Sequence, residues 1–123
     1  MLAFLTLNVA EATAPEIPPR EYPEGLEEYK YYAYDLVVDA WGESQWGYFD
    51  DLIYRESSWR STAQNPSSTA FGLAQFLDST WALVDCEKTT EPDEQIRCGV
   101  EYVKEVYGTP RKAIIHHNEN NWY

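Results

Sequence analysis

The amino-acid sequence predicts a single all-α domain, and three observations lead to that expectation. The chain has 123 residues, which is the size of one domain with one hydrophobic core. In several segments apolar residues recur at steps of three and four, the period of a helix face. No segment alternates convincingly between apolar and polar residues, as a half-buried strand would. We therefore expect helices joined by short loops.

The first 25 residues predict a leader and linker ahead of that domain. Residues 2–10 are apolar, but no Lys or Arg precedes them, so they indicate a weak export signal or its remnant. This run is too short to span a bilayer as a helix, and we expect no membrane insertion. The following segment, 14–25, holds four of the seven prolines and should be extended. The domain itself is expected to cover residues 26–123.

Two helices are expected in the first half of the domain. The first begins near Leu26 and should end at Gly42, because glycine is the usual residue just beyond a helix. Ser44 is the predicted N-cap of the second helix. The apolar stripe of the second helix contains Trp46, Phe49, Leu52 and Ile53.

Three further helices are expected in the second half. Ser79 can cap a brief one that passes through Trp81. The clearest helix has Thr90 as its candidate N-cap and Gly108 as its end. Thr109 and the proline after it can start a last short helix through residue 115.

Glu56 falls on the apolar stripe of the second helix, one turn after Leu52. Burial disfavours the charged form of a carboxyl and raises its pKa, and a carboxylic acid with a pKa near neutrality suits general acid catalysis. The alternative is a glutamate that turns to solvent at the helix end, or pairs with Arg55 or Arg60. Periodicity alone favours this alternative.

Charge and cysteine content exclude several classes of function. The net charge of −12 disfavours nucleic acid and anionic membrane surfaces as partners. Cys86 and Cys98 either form one disulfide or remain as two buried thiols. They have no zinc-site spacing, and the adjacent His116 and His117 point to different faces of a helix. No metal or cofactor is implied.

A set of short motifs begins at Glu56 and continues along the chain in a fixed order. The motifs are Glu56-Ser57, Asn65-Pro66, Gly72-Leu73-Ala74-Gln75-Phe76 and Ser79-Thr80-Trp81. Together they resemble the lytic transglycosylase family, over a range from about Trp41 to Tyr123. The stretch QNPSSTAFGLAQ and the terminal NNWY are similar to the branch that includes bacterial aggregation-promoting-factor surface proteins and phage-borne relatives.

This resemblance implies a lysozyme-like helical domain that cleaves the glycan strands of bacterial peptidoglycan. The family's catalytic acid matches Glu56. It would protonate the glycosidic oxygen after N-acetylmuramic acid, and then act as base on the 6-hydroxyl of that sugar to close a 1,6-anhydro ring. No water is consumed, so one carboxylate suffices where most glycosidases use two.

The resemblance also suggests which side chains contact the sugar. Alternatives from the residues themselves stay open: Ser57 can be exposed, Gln75 can be an ordinary surface residue, and Phe76 can belong to the core. Trp122 and Tyr123 can stack on a sugar or merely hold the tail. The family ending, in which a tyrosine contacts the catalytic glutamate, is replaced here by HHNENNWY. His116 or His117 occupies that region, so no single residue is assigned to orient Glu56. The candidate substrate contacts are Ser57, Gly72, Leu73, Gln75, Phe76, His116 and Tyr123.

Two other functions compete with this interpretation. A lysozyme-type hydrolase would use water, either through an aspartate across the cleft or through a water that is held indirectly. A non-catalytic wall-binding or virion module would keep the fold without the activity. In each case we expect a monomer that meets peptidoglycan outside the cytoplasm, in the periplasm, or as part of a phage particle. The candidates for a second carboxylate are Asp50, Asp51, Asp78 and Asp85.

Overall fold

The computed structural model describes residues 19–122, and every regular element in that range is helical. This confirms the all-α prediction. Between α2 and α3 the chain forms a loop with two isolated bridges, Gln64 to Phe71 and Phe71 to Phe76. The elements are α1 (Glu28–Trp41), a 3-10 turn (Glu43–Gln45), α2 (Trp46–Ser57), α3 (Asp78–Leu83), α4 (Pro92–Val106) and α5 (Pro110–Asn120).

The core lies where α1 packs against α4 and where α2 packs against α5. The predicted apolar stripe of α2 is buried, and its Trp46 and Phe49 join Trp59 in an aromatic cluster with ring centroids 6.1 to 6.5 Å apart. Burial of these large rings is the main favourable term that holds α2 in place. The fully buried core residues include Ala33, Val37, Phe49, Leu52 and Ala113.

Three predicted helix caps are wrong. Ser44 lies inside the 3-10 turn, so α2 begins after it. Helix α3 begins at Asp78, before Ser79, and the hydroxyl of Thr69 in the preceding loop accepts the Asp78 N–H at 3.0 Å. Helix α4 begins at Pro92, so Thr90 stands outside it.

The start of α5 agrees with the prediction, but its length does not. The hydroxyl of Thr109 accepts the N–H of Lys112 at 3.3 Å, as expected of an N-cap. The helix then continues beyond residue 115 to Asn120. This extra turn carries both histidines onto a regular helix that packs on α2.

The segment before α1 contacts that helix from residue 20 onward. The Arg20 guanidinium pairs with Asp35 and with Asp39, both at 2.8 Å, and the Tyr22 hydroxyl donates to Asp35 at 3.0 Å. The end of the predicted linker is therefore attached to the domain by polar contacts. The apolar run over residues 2–10 lies outside the described residues.

One buried glutamine joins three segments of the chain. Gln95 in α4 is 2% exposed, and its Oε1 accepts the N–H of Leu73 at 2.8 Å. Its Nε2 donates to the carbonyl oxygens of Ser61 at 2.9 Å and of Thr89 at 2.8 Å. We call Gln95 and these three partners the Gln95 cluster. It ties the loop after α2 and the segment before α4 to α4 itself.

A disulfide lies beside the Gln95 cluster. Cys86, in the segment after α3, is bonded to Cys98 of α4 with an S–S distance of 2.03 Å. Of the two alternatives that the sequence left open, the structure therefore has the disulfide. It closes a short loop that includes Thr89 and Gln95, so it holds the same two segments together.

Candidate active site

Glu56 lies in the last turn of α2, immediately before a sharp reversal of the chain. The reversal is made by Ser58 and Trp59, whose φ angles of 52° and 60° are both in the left-handed region. Non-glycine residues adopt this region at a cost of roughly 1–3 kcal/mol and need support from their surroundings. Trp59 has that support, because its ring is buried and its Nε1 donates to Asp50 at 2.7 Å. The position of the helix end, and of Glu56, is thereby fixed.

The Glu56 side chain is largely withdrawn from water. It is 16% exposed, and this burial raises the pKa of its carboxyl to about 7. Neither neighbouring arginine pairs with it. Arg55 contacts Asp51 and the side chain of Asn118, and Arg60 donates to the carbonyl of Ser57. The alternative of a solvent-facing or arginine-paired glutamate is therefore not what the structure has.

The carboxyl of Glu56 faces an open cleft with a volume of about 410 Å³. Among the described residues that line this cleft, Glu56 is the only carboxylate. A second hollow of about 190 Å³ shares Gln75, Leu77 and Trp122 with the first, so the two form one elongated groove. The residues lining the first hollow are Glu56, Asn65, Ala70, Gln75, Leu77, Asn121 and Trp122.

The four aspartates that were candidates for a second catalytic carboxylate do not line either hollow. Three of them are engaged with donors or cations elsewhere, and Asp85 is exposed in the turn after α3. The engaged ones are Asp50 with Trp59 and Lys30, Asp51 with Arg55, and Asp78 with Lys88.

Gln75 is the predicted substrate contact that the structure brings next to Glu56. Its φ of 53° is left-handed, and its Nε2 donates to the carbonyl oxygens of Ala63 at 2.8 Å and Gly72 at 2.9 Å. Both partners are acceptors, so the amide nitrogen must face them and both of its hydrogens are used. Gln75 therefore offers the groove an acceptor, Oε1, rather than the donor and acceptor that the sequence suggested.

Three other predicted contacts lie behind the groove rather than in its wall. Ser57 is 3% exposed, and its hydroxyl donates to the carbonyl of Ile53 at 3.2 Å. Leu73 is 1% exposed in the core. A Cβ on Gly72 would lie 2.8 Å from the side chain of Gln95, so the absence of a side chain there serves packing inside the protein rather than approach to a sugar.

The remaining predicted contacts have mixed positions. Phe76 is 3% exposed and packs on Trp81, yet one side of it lines the second hollow. His116 does not line the groove; it contacts Trp122, which does, with ring centroids 4.5 Å apart. Tyr123 lies outside the described residues.

Sequence reasoning left two residues of the site open and missed three others. The choice between His116 and His117 was open, and it is the Nε2 of His117 that lies 3.3 Å from Oε1 of Glu56, with burial lowering the pKa of its imidazole. Trp122, expected either to stack on a sugar or to hold the tail, lines the groove.

Tyr102, Tyr107 and Asn121 had no predicted role. Tyr102 and Tyr107 are near enough that the charge of Glu56 contributes to raising their pKa values, after burial as the main cause. Tyr102 lies beside the apolar face of α4, and this position was the available signal.

The geometry suits proton transfer to and from a substrate that lies along the groove. A neutral acid, an amide acceptor and an exposed indole line it, which are groups that bind sugars well. Within residues 19–122 no group of three or more His, Cys, Asp or Glu side chains is placed to hold a metal ion. In that same range no helix has the length and apolar character needed to cross a membrane.

Comparison with known proteins identifies the family. The family model described as transglycosylase SLT domain matches residues 41–121, which is most of the chain and includes every described residue that lines the groove except Trp122. The searches of curated proteins and of solved structures gave no match. The chain therefore belongs to the transglycosylase SLT domain family, a family of lytic transglycosylases.

Proposed function

We propose that this protein is a peptidoglycan lytic transglycosylase in which Glu56 is the general acid and then the base. The observation that carries the proposal is that Glu56 is the single carboxylate among the described residues of the groove, with its pKa raised to about 7. Such a group is protonated in a large fraction of molecules at neutral pH, yet it is a strong enough base to take the proton back. Membership of the family supplies the substrate class.

The proposed reaction has two steps that balance without water. In the first, the Glu56 carboxyl gives its proton to the glycosidic oxygen, and the bond from that oxygen to C1 of N-acetylmuramic acid breaks. The electron pair leaves with the N-acetylglucosamine side. In the second, the 6-hydroxyl of the same muramic acid bonds to C1 while Glu56 removes the hydroxyl proton. The product has a 1,6-anhydro ring, and Glu56 is again protonated.

The absence of a second carboxylate along the described part of the groove favours this scheme over hydrolysis. An inverting hydrolase places its two carboxyl groups about 6.5–9.5 Å apart, and a retaining one about 5–5.5 Å apart. The intramolecular hydroxyl takes the place of water or of a second carboxylate as the nucleophile. The same groove would otherwise lack a group to activate water.

The groove also offers contacts that would align a glycan strand. Oε1 of Gln75 can accept from an N-acetyl N–H or a sugar hydroxyl, and the side chains of Asn65 and Asn121 add amide groups. Trp122 is 57% exposed and lines both hollows, so its ring can stack on a sugar. Phe76 would contribute apolar contact in the second hollow.

We further propose that residues 26–123 form the catalytic domain and act as a monomer on the wall, outside the cytoplasm or in the periplasm. The segment over residues 1–25 would be a leader or a linker. The closer similarity of QNPSSTAFGLAQ and NNWY to the aggregation-promoting-factor and phage-borne branch supports a surface protein or a virion component. In a virion, the particle would deliver this acidic domain to an anionic wall without electrostatic steering.

The test is mass spectrometry of purified peptidoglycan after digestion. Wild-type protein should release muropeptides that are lighter by one water at the muramic acid end, because the anhydro ring replaces a reducing end. Glu56→Gln keeps the shape of the side chain but cannot donate the proton, so these products should be absent. Glu105→Gln, on the exposed side of α4, is the matched control and should behave as wild type.

Each other outcome has a definite meaning. Ordinary reducing ends that depend on Glu56 would replace the transglycosylase with a hydrolase. Products that persist in Glu56→Gln would show that another group is the acid. No product from wild-type protein, with binding to the wall intact, would identify a non-catalytic module.

A further inference from the structure

The two adjacent histidines of α5 occupy different surroundings, and one of them contacts the proposed catalytic group. The Nε2 of His117 lies 3.3 Å from Oε1 of Glu56, and the two side chains are 15% and 16% exposed. His116 points elsewhere, with its Nδ1 2.9 Å from the carbonyl oxygen of Trp122 and 3.4 Å from the hydroxyl of Tyr107. Of the two histidines, His117 is the one close enough to act on Glu56 directly.

The register between α2 and α5 holds this pair together. The two helices pack against each other, and Arg55, which precedes Glu56, donates to the side chain of Asn118 at 2.6 Å. Asn118 in turn follows His117. Arg55 and Asn118 are the chain neighbours of Glu56 and His117, so the hydrogen bond between them opposes sliding of one helix along the other. The contact between His117 and Glu56 is therefore a consequence of helix packing rather than of two free side chains meeting.

The contact is not an ion pair near neutral pH. Burial raises the pKa of Glu56 to about 7, whereas burial and then the charge of Arg55 lower the pKa of His117 from its ordinary 6.5. Between these two values both groups are neutral. A neutral imidazole that carries its proton on Nε2 is a hydrogen-bond donor, and a carboxyl that loses its proton becomes an acceptor.

We propose that His117 is the positioning residue for Glu56: its Nε2–H holds Oε1 as the carboxylate forms, so that Oε2 stays directed to the substrate. This inference rests on the proposed function. In the first step of the reaction Glu56 becomes a carboxylate in a site with little water. A buried carboxylate without a donor is costly, and the Nε2 of His117 lies at contact distance to act as one.

Other titratable groups lie near the pair, and their effects on protonation must be distinguished from the contact between His117 and Glu56. On α2, Asp51 and Arg55 act on His117 in opposite directions, the first raising and the second lowering the pKa of the imidazole. His116 on α5 is a further cation when protonated and lowers it. Tyr102 of α4 and Tyr107 after it both have raised pKa values, so they keep their protons throughout the acidic and neutral range.

The pair predicts a bell-shaped dependence of kcat/KM on pH, because kcat/KM reports the pKa values of the enzyme without substrate. Above a pH of about 7 Glu56 loses the proton that it must donate, and the rate falls. Below the pKa of His117, an imidazolium stands beside Glu56 and stabilises the carboxylate. A more stable carboxylate is a weaker base toward the 6-hydroxyl, so the rate falls on the acid side too. His117 controls the acid limb, and Glu56 controls the alkaline limb.

The first experiment measures kcat and KM against pH on peptidoglycan glycan strands. His117→Leu removes the donor and should lower kcat roughly 10²- to 10³-fold with little change in KM, as loss of one preorganised donor does elsewhere. His117→Gln keeps a donor that does not titrate, so it should recover part of kcat and lack the acid limb. His116→Gln should retain that limb. Glu119→Gln, an exposed carboxylate on the same helix, should match wild type.

A second measurement needs no substitution of His117 and so does not depend on whether its variants fold. The ring nitrogens of His117 are followed by NMR as pH is varied, in wild-type protein and in Glu56→Gln. In wild type they should show two steps, one from the imidazole and one from the carboxyl. In Glu56→Gln the second step should disappear. A single step that is identical in both proteins would overturn the proposal.

Failure of this inference is distinguishable from failure of the proposed function. If wild-type protein makes anhydro products and His117→Leu keeps both kcat and the acid limb, His117 has no positioning role and the function stands. If wild-type protein makes no anhydro product, the function itself is wrong. The NMR titration then still reports whether the two side chains are coupled.

Discussion

Glu56 and Gln95 are both polar side chains on inward faces of helices, and they differ in how well their polar atoms are satisfied. Gln95 makes three hydrogen bonds of 2.8 to 2.9 Å and is 2% exposed. Glu56 contacts the imidazole of His117 at 3.3 Å and opens onto the groove. A buried polar group with all partners present fixes structure, whereas one that is short of partners has a perturbed pKa and is a candidate for chemistry.

The two regions also differ in what they connect. The Gln95 cluster and the disulfide beside it join loops to α4, and they hold the backbone that forms the rear of the groove. The Glu56 region joins α2 to α5 through a few side chains at the groove itself. We therefore expect substitutions in the first region to act on stability and those in the second to act on activity.

The largest effect on stability is expected for Gln95→Leu. The substitution leaves the buried N–H of Leu73 and the partly buried carbonyl oxygens of Ser61 and Thr89 without their partner. A buried group costs about 1–3 kcal/mol and partly buried ones cost less, so the free energy of unfolding should fall by roughly 3–5 kcal/mol. Urea unfolding followed by circular dichroism measures it, with Glu105→Leu on the exposed side of α4 as control. An unchanged midpoint would contradict the structural role of the cluster.

Reduction of the Cys86–Cys98 disulfide should have the next largest effect. In the chain-entropy model a loop of this size contributes about 3 kcal/mol, so reducing agent should lower Tm clearly. The double variant with alanine at both positions should have a low Tm that no longer responds to the reductant. Below the new Tm the cleavage rate should be retained. Loss of the rate while the fold persists would mean that the two regions are not separable.

The smallest of these effects on stability is expected for Glu56→Gln, which should stabilise the protein rather than destabilise it. The carboxyl has a pKa of about 7 in the folded protein and an ordinary value of 4.5 when unfolded. The folded state therefore binds its proton more tightly, and the associated stability is present below pH 4.5 and lost as pH rises through 7. At pH 8 Glu56→Gln should be more stable than wild type, by roughly 2 kcal/mol once solvent screening is allowed for.

Thermal unfolding at pH 4 and at pH 8 tests this expectation. The gain should be present at the higher pH and nearly absent at the lower one, where wild-type Glu56 is already protonated. Glu105→Gln should show no such dependence. A variant that is less stable than wild type at pH 8 would mean that Glu56 contributes to the fold rather than opposing it.

The sequence predicted the helices because they depend on periodicity. For Glu56, periodicity alone favoured a solvent-facing or arginine-paired side chain, and the motifs that follow it favoured a catalytic acid. The stripe of α2 needed only the spacing of its large apolar residues, and Glu56 follows on the same face. Helix caps were less predictable. Ser44, Ser79 and Thr90 are good capping types, but a 3-10 turn, a loop threonine and a proline displaced each helix start.

The sequence predicted which segments form the site, but not which way the side chains of those segments point. Ser57 is next to Glu56 in sequence, yet one step along a helix turns its hydroxyl into the core. Gly72 and Leu73 belong to the same motif as Gln75 but lie behind the groove, where Leu73 is buried in the core and the side chain of Gln95 fills the space beside Gly72. The choice between His116 and His117 depended on the packing of α5 on α2, which the sequence does not specify.

The orientation of the Gln75 amide has a consequence for the design of inhibitors. Because the backbone of Ala63 and Gly72 occupies both amide hydrogens, the groove presents a lone pair beside Glu56 and no amide hydrogen from this residue. A compound that places an N–H or O–H against Gln75 should gain affinity, and one that places a carbonyl there should be repelled. The affinities of a matched pair of compounds that differ in this one group would measure how strongly the groove prefers a donor at this position.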